Sequence, residues 1–306
     1  MTEQKTDTLS KAALLYPAAS LLGEGPVWHD ARQSFFWVDI EGKKLNEIKW
    51  LDKEVQSWHM PQRIGMVTPY EDDINLIVAL ADGLSIFNPE KATLQHIADI
   101  ETDRPENRPN DGKCDSEGRL WLGTMNVDAE KNSGSLYCTN KTAVTRHLTA
   151  LTISNGMAWS PDNKHFYFID SALQRVDQYS FDAPSGTIIF QRTAVEIPAE
   201  LGLPDGMTID EEGMLWVAQW GGFCVCRWNP VTGALLHKIE VPVPQVTSCT
   251  FGGRNLDQLL ITTASVELSK DDLLNYPQSG HLFCAQPGVR GALPNKFKHL
   301  DDITLK

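Results

Sequence analysis

The sequence predicts an all-β fold, a six-bladed β-propeller with four-stranded antiparallel blades, and three observations carry that reading. A unit recurs at intervals of 40 to 50 residues, anchored on Gly25, Gly65, Gly112, Gly156, Gly206 and Cys249. Each unit opens on one pattern: a small residue, a short half-apolar strand, a turn rich in Asp, Asn and Gly, then a strand of aromatic and β-branched residues. Helical stretches are nearly absent, and only "SKDDLLNY", from Ser269, reads as a helical turn. Four short strands repeated at this period bury their faces against the next repeat around a central channel, which defines a propeller.

The units follow in order. Their first two strands are "GPVWHDARQSFFWVD", "GMVTPYEDDINLIVAL", "GKCDSEGRLWLGT", "GMAWSPDNKHFYFID", "GMTIDEEGMLWVAQ" and "CTFGGRNLDQLLITT". A third strand is legible in "DGLSIFNP", "SGSLYCTN", "GGFCVCRWNP" and "SGHLFCAQP", and a fourth in "LQHIADI", "VTRHLTA", "TAVEIPA" and "LLHKIEVP". The early stretch "AALLYPAAS" is free to complete the last blade, which closes the ring and removes an exposed edge. All-β architectures often run this long as one unit, so residues 1–306 are expected to form a single propeller domain, with residues 1–11 a flexible tail.

Composition narrows the function classes. Apolar residues make up 42% and charged residues 22%, ordinary for a globular protein, and no run approaches the roughly 18 apolar residues of a membrane helix. The opening "MTEQKTDTLSK" is not followed by an apolar run with a cleavage site, so no signal peptide is read and a cytoplasmic location is expected. A net charge of -13, with no basic patch to offset it, argues against nucleic acid and for small molecules or cations as partners. The six cysteines are too sparse for a disulfide scaffold and read as reduced core residues. "CVC" puts Cys224 and Cys226 on one strand face, but no second pair answers it as a metal site would require.

In a propeller the innermost strands run side by side, so equivalent repeat positions converge at one end of the channel. The residues just before the anchors are Glu24, Ile64, Asp111, Asn155, Asp205 and Ser248. Four of these, Glu24, Asp111, Asn155 and Asp205, carry oxygen ligands. Taken singly, Asp-Gly and Asn-Gly are turn dipeptides. In one register across separate repeats, Glu24, Asn155 and Asp205 instead read as a site for a hard divalent cation such as Ca²⁺, Mg²⁺ or Mn²⁺, open to water or substrate. Asp30, Asp115, Asp162 and Asp210 fall in the hairpin turns and are assigned to turn chemistry. In "NRPNDGK", Arg108 and Asn110 lie near the channel mouth, where they read either as donors to substrate oxygens or as ordinary loop residues.

Together "LGEGPVW", "RPNDGKCDSEGRLWLGTM", "ISNGMAWSPD", "PDGMTIDEEGMLWVAQWGG" and "VTSCTFGG" resemble the SMP-30/regucalcin/gluconolactonase family of sugar lactonases, over nearly the whole chain from Leu22 to Phe283. The resemblance implies hydrolysis of a sugar lactone to the aldonic acid with one divalent metal, calcium first, and zinc, manganese, magnesium or ferrous iron as alternatives. It assigns metal binding to Glu24, Asn155 and Asp205, water activation to Asp205, and substrate binding to Arg108 and Asn110. Where regucalcin-like members have a Glu shortly after "GTM", this chain reads "GTMNVDAE", so Asp128 takes the substrate-binding role with Asn126 as the alternative. Two rivals stand beside lactone hydrolysis. One is a calcium-binding or phosphotriesterase-like propeller of the same family, and the other is a non-catalytic interaction scaffold.

Overall fold

The computed structural model describes residues 9–139 and 143–298. Its strands form six antiparallel sheets, each led by an innermost strand: Gly23–His29, Ile64–Pro69, Asn107–Cys114, Ser154–Trp159, Leu203–Ile209 and Val246–Gly252, here blades 1 to 6. Each innermost strand packs against those of the two neighbouring blades, the sixth against the first, so the sheets close into a six-bladed propeller. The helical turn read after Ser269 is present as Lys270–Asn275, capped by the Ser269 hydroxyl. Among the described residues, no helix is long and apolar enough to cross a membrane.

The sheets are buried on both faces, which explains why the second strands read as near-continuous apolar runs. Successive side chains of a strand point to opposite faces and therefore to different neighbouring blades. Val27, Phe36 and Val38 pack toward Ile64 and Val78 of blade 2, whereas Trp28, Phe35 and Trp37 pack toward Leu260 and Leu282 of blade 6. The same division recurs around the ring, so each blade-to-blade junction holds its own apolar cluster.

Two strands from the early part of the chain complete the outer edges of blades 5 and 6. Ala13–Tyr16 pairs antiparallel with Leu282–Ala285 and supplies the fourth strand of blade 6, as "AALLYPAAS" led us to expect. The tail expected over residues 1–11 is corrected at its inner end. Leu9–Lys11 forms a fifth strand on blade 5, parallel to Leu235–Glu240, because that outer strand otherwise leaves an unpaired edge. Residues 1–8 of that tail lie outside the described residues.

All six cysteines are free, and only Cys284 is not fully buried. Cys224 and Cys226 share a face with their sulfurs 3.6 Å apart inside the junction between blades 4 and 5, and they act as core residues.

Candidate functional site

Every innermost strand carries a bulge at its anchor. The pairing with the second strand skips one extra residue between Glu24 and Val27, Ile64 and Met66, Pro109 and Gly112, Ser154 and Met157, Pro204 and Met207, and Val246 and Ser248. A bulge releases its residues from the ladder and re-aims them. Glu24, Asn110, Asp111, Asn155 and Asp205 all sit at or within these irregularities, at the entry ends of their strands. Five of the six anchors are glycine because the innermost strands crowd one another at the axis. A Cβ on Gly156 would lie 2.6 Å from the Met207 nitrogen, and one on Gly206 would collide with the Ser248 hydroxyl.

Burial and charge tie the residues together. Glu24, Asn155 and Asp205 are 5%, 4% and 6% exposed. Burial, reinforced by the Asp205 and Asp111 carboxylates, holds the Glu24 carboxyl well above the usual range. Asp205 is raised in the same direction by burial and then Asp111, while the Asn155 amide and the Arg108 guanidinium pull it back. The Asn155 amide nitrogen donates to the Ser171 hydroxyl at 3.0 Å, and its carbonyl oxygen is buried without a partner. Crowded buried acids beside an orphaned amide oxygen are a poor arrangement unless a positive charge joins them. The donor set of two carboxylates and one amide oxygen fits a hard divalent cation. Among the described residues, no three His, Cys, Asp or Glu side chains form a metal-holding group, so the amide oxygen is needed to make up the set.

Arg108 and Asn110 join the mouth from blade 3. Arg108 is 7% exposed and donates through Nη1 to the Pro109 carbonyl at 3.1 Å and the Asn110 Oδ1 at 2.6 Å. Asn110 in turn donates to the Ser154 carbonyl at 2.9 Å, next to Asn155. Burial lowers the Arg108 pKa to about 10, opposed by Glu41 and Glu24, so the guanidinium is buried in the field of nearby acids and is not on the surface.

Asp128 is not buried with this cluster. It stands exposed in the turn after Leu120–Asn126, and its backbone N–H donates to the side chain of buried Asn126 at 2.8 Å. Sequence reasoning also gave no role to three residues that face the site. Asp111 is a buried carboxylate with Oδ2 unpartnered, and it was visible in the repeat register. Glu41 and Arg63, ion-paired at 3.0 Å, act on the Arg108 charge from the loops of blades 1 and 2 and carry no repeat signal.

The turn aspartates divide in two. Asp115 accepts from the Glu117 and Arg119 backbones, the Arg119 side chain and the Trp121 indole. Asp210 repeats this with Glu212, Met214, Arg227 and Trp216. Asp162 is an exposed turn residue bonded to the Ser160 hydroxyl and the Lys164 N–H, and Asp30 accepts from the Trp28 indole and Gln33.

Comparison with known proteins identifies the family. A regucalcin from Xenopus laevis is 35% identical over 283 residues, 90% of this chain and 94% of its own. A Bacillus subtilis protein named "Putative sugar lactone lactonase YvrE" is 34% identical over 94% of this chain and 98% of its own. The solved structure of a calcium-binding regucalcin from Agrobacterium tumefaciens superposes with a TM-score of 0.91 at 30% identity, covering 95% of this chain and 99% of the other. Residues 22–265 match the family described as the SMP-30/Gluconolactonase/LRE-like region, and the chain belongs to that family.

Proposed function

We propose that the protein hydrolyses the ring ester of a sugar lactone to the open-chain aldonic acid, with Glu24, Asn155 and Asp205 holding one divalent cation, calcium first. The observation that carries this reading is the convergence of two buried acids and an unpartnered amide oxygen beside a buried arginine at one mouth of the channel. The name of the Bacillus subtilis relative supports the reaction class, and the calcium-binding Agrobacterium neighbour supports the ion. A bound divalent ion supplies charge stabilisation at a carbonyl oxygen and lowers the pKa of bound water.

The chain's own residues do the rest. Arg108 and Asn110 orient the ring hydroxyls and carbonyl, and their mutual hydrogen bond and the Ser154 anchor hold both side chains ready before substrate arrives. Asp205 takes a proton from the attacking water as the new C–O bond forms. The ring C–O bond then breaks, and its oxygen takes that proton from Asp205 to leave as a hydroxyl of the product acid. Asp128, exposed in the turn after the third blade's second strand, adds a carboxylate to bind the substrate hydroxyls. Action in the cytoplasm is part of the proposal.

A pH-indicator assay of several aldonolactones against a panel of divalent metals tests this reading. Acid release that needs both a lactone and a metal supports it. Metal binding without acid release would instead favour the calcium-binding reading.

Arg108→Ala is expected to weaken lactone hydrolysis while leaving metal affinity nearly unchanged, because a guanidinium has no acceptor atom for a cation. A raised KM with kcat preserved assigns Arg108 to ground-state binding, and a fall in kcat assigns it to the developing oxyanion. Steady-state kinetics paired with calorimetric metal titration make the distinction. Unchanged kinetics would remove Arg108 from the site.

A further inference from the structure

A cavity of about 400 Å³ occupies the channel beyond the mouth. It begins at Gly25, Asp111 and Ser248 and runs toward the exit ends of the innermost strands, where Trp159, Ser160 and Asp210 line it. There the segment from Arg290 to Lys298 crosses the ring. Its backbone is tied to Glu211 and Leu256 on one side, and to Pro69 and Gly118 on the other. Asn295 is anchored to the Cys114 carbonyl at 3.2 Å, and Ala292 through Asn295 form part of the wall. Leu293 is half exposed, so the far end is covered but not sealed.

Three polar groups in this cavity have bonding capacity left over. Asp111 is 3% exposed; its Oδ1 accepts from the Gly112 N–H at 2.7 Å and its Oδ2 has no partner. Trp159 is 8% exposed and its indole N–H has no partner. Lys113, two residues beyond Asp111 on the same strand, donates to the Met207 carbonyl and keeps two further N–H donors. Val27, Val67, Met157 and Pro294 supply apolar wall, interspersed with the hydroxyls of Thr68, Ser160, Thr208 and Thr250.

We propose that this cavity is a second ligand site, below the lactone site and meeting it at Asp111, for a small uncharged molecule with hydroxyl groups on an apolar body. One hydroxyl both donates and accepts, so it can satisfy Asp111 and Lys113 at once, and a second hydroxyl further along the body can accept from Trp159. An anion meets the Asp111 carboxylate, and a cation meets the Lys113 ammonium, while Asp210 on the wall is already paired with Arg227. The volume exceeds twice the roughly 150 Å³ that admits benzene, and it falls within the range of small-molecule pockets. The proposal stands independently of the activity assigned to the mouth.

The probe is trans-1,2-cyclohexanediol, with cyclohexanecarboxylate and cyclohexylamine as charged counterparts of the same body, each titrated by saturation-transfer NMR. Saturable binding of the diol, weaker binding of both ions, and unchanged diol affinity in Asp205→Asn are expected. Trp159→Phe keeps the ring and removes the N–H. It should bind the diol roughly fivefold more weakly, the loss of one neutral hydrogen bond, with an unchanged melting temperature. Lys113→Met is the second variant and should weaken binding in the same direction. No saturable binding, equal binding of all three probes, diol affinity unaffected in both variants, or loss of diol binding in Asp205→Asn would each overturn the proposal.

Discussion

Asp205→Asn is expected to lower lactone turnover by roughly three orders of magnitude, the several kcal/mol that charge stabilisation at a metal-assisted site supplies. The substitution keeps volume and hydrogen-bonding capacity while removing one negative charge. In metal-free protein the variant should be as stable as the parent or more so, because Asp205 is a buried charge that raises Glu24. Kinetics at saturating metal, with melting temperatures in chelator, measure both effects. Near-normal turnover would end the proposed mechanism, and a large fall in metal-free stability would show that Asp205 is a structural residue.

The largest stability effect is expected at Asp115, far from the chemistry. Its side chain is fully buried, and it accepts from Arg119 Nε at 2.7 Å and the Trp121 indole at 2.9 Å. Asp115→Ala leaves a mostly buried guanidinium and a buried indole N–H without their acceptor. We expect a loss on the order of 3 kcal/mol, or a fall of roughly 6 to 12 °C in Tm. Asp162→Ala, at an exposed turn, is the control and should change stability by about 0.5 kcal/mol or less. Equal effects at the two sites would remove the special role of the buried Asp, Arg and Trp cluster.

How much of this was legible depended on whether a feature is local. The Asp115 and Asp210 turns share the spacing "DSEGRLW" and "DEEGMLW", but the sequence showed only turn formers. Trp121 and Trp216 return to the aspartates because the hairpin folds the second strand back beside its own turn. Blade 4 departs from the pattern, with Ser160 in that register and its hydroxyl accepting from Lys164 and His165. Asp162 therefore belonged to a different position from the one assumed for it.

The sequence by itself determined the propeller and the closing strand Ala13–Tyr16, and it aligned Asn155 with Asp205, whereas the strand pairing puts Asn110, not Asp111, in their register. Each rests on a pattern of a few residues repeated along the chain, and a repeated local pattern needs no knowledge of distant contacts. The tertiary structure decided what those aligned residues meet. It made Asp111 a third buried acid, brought Arg108 into its field, left Asp128 exposed, and carried Arg290–Lys298 across the far end of the channel. These outcomes follow from ring closure, which sets residues from distant repeats side by side in a medium where burial magnifies every charge, and no window of sequence contains both partners.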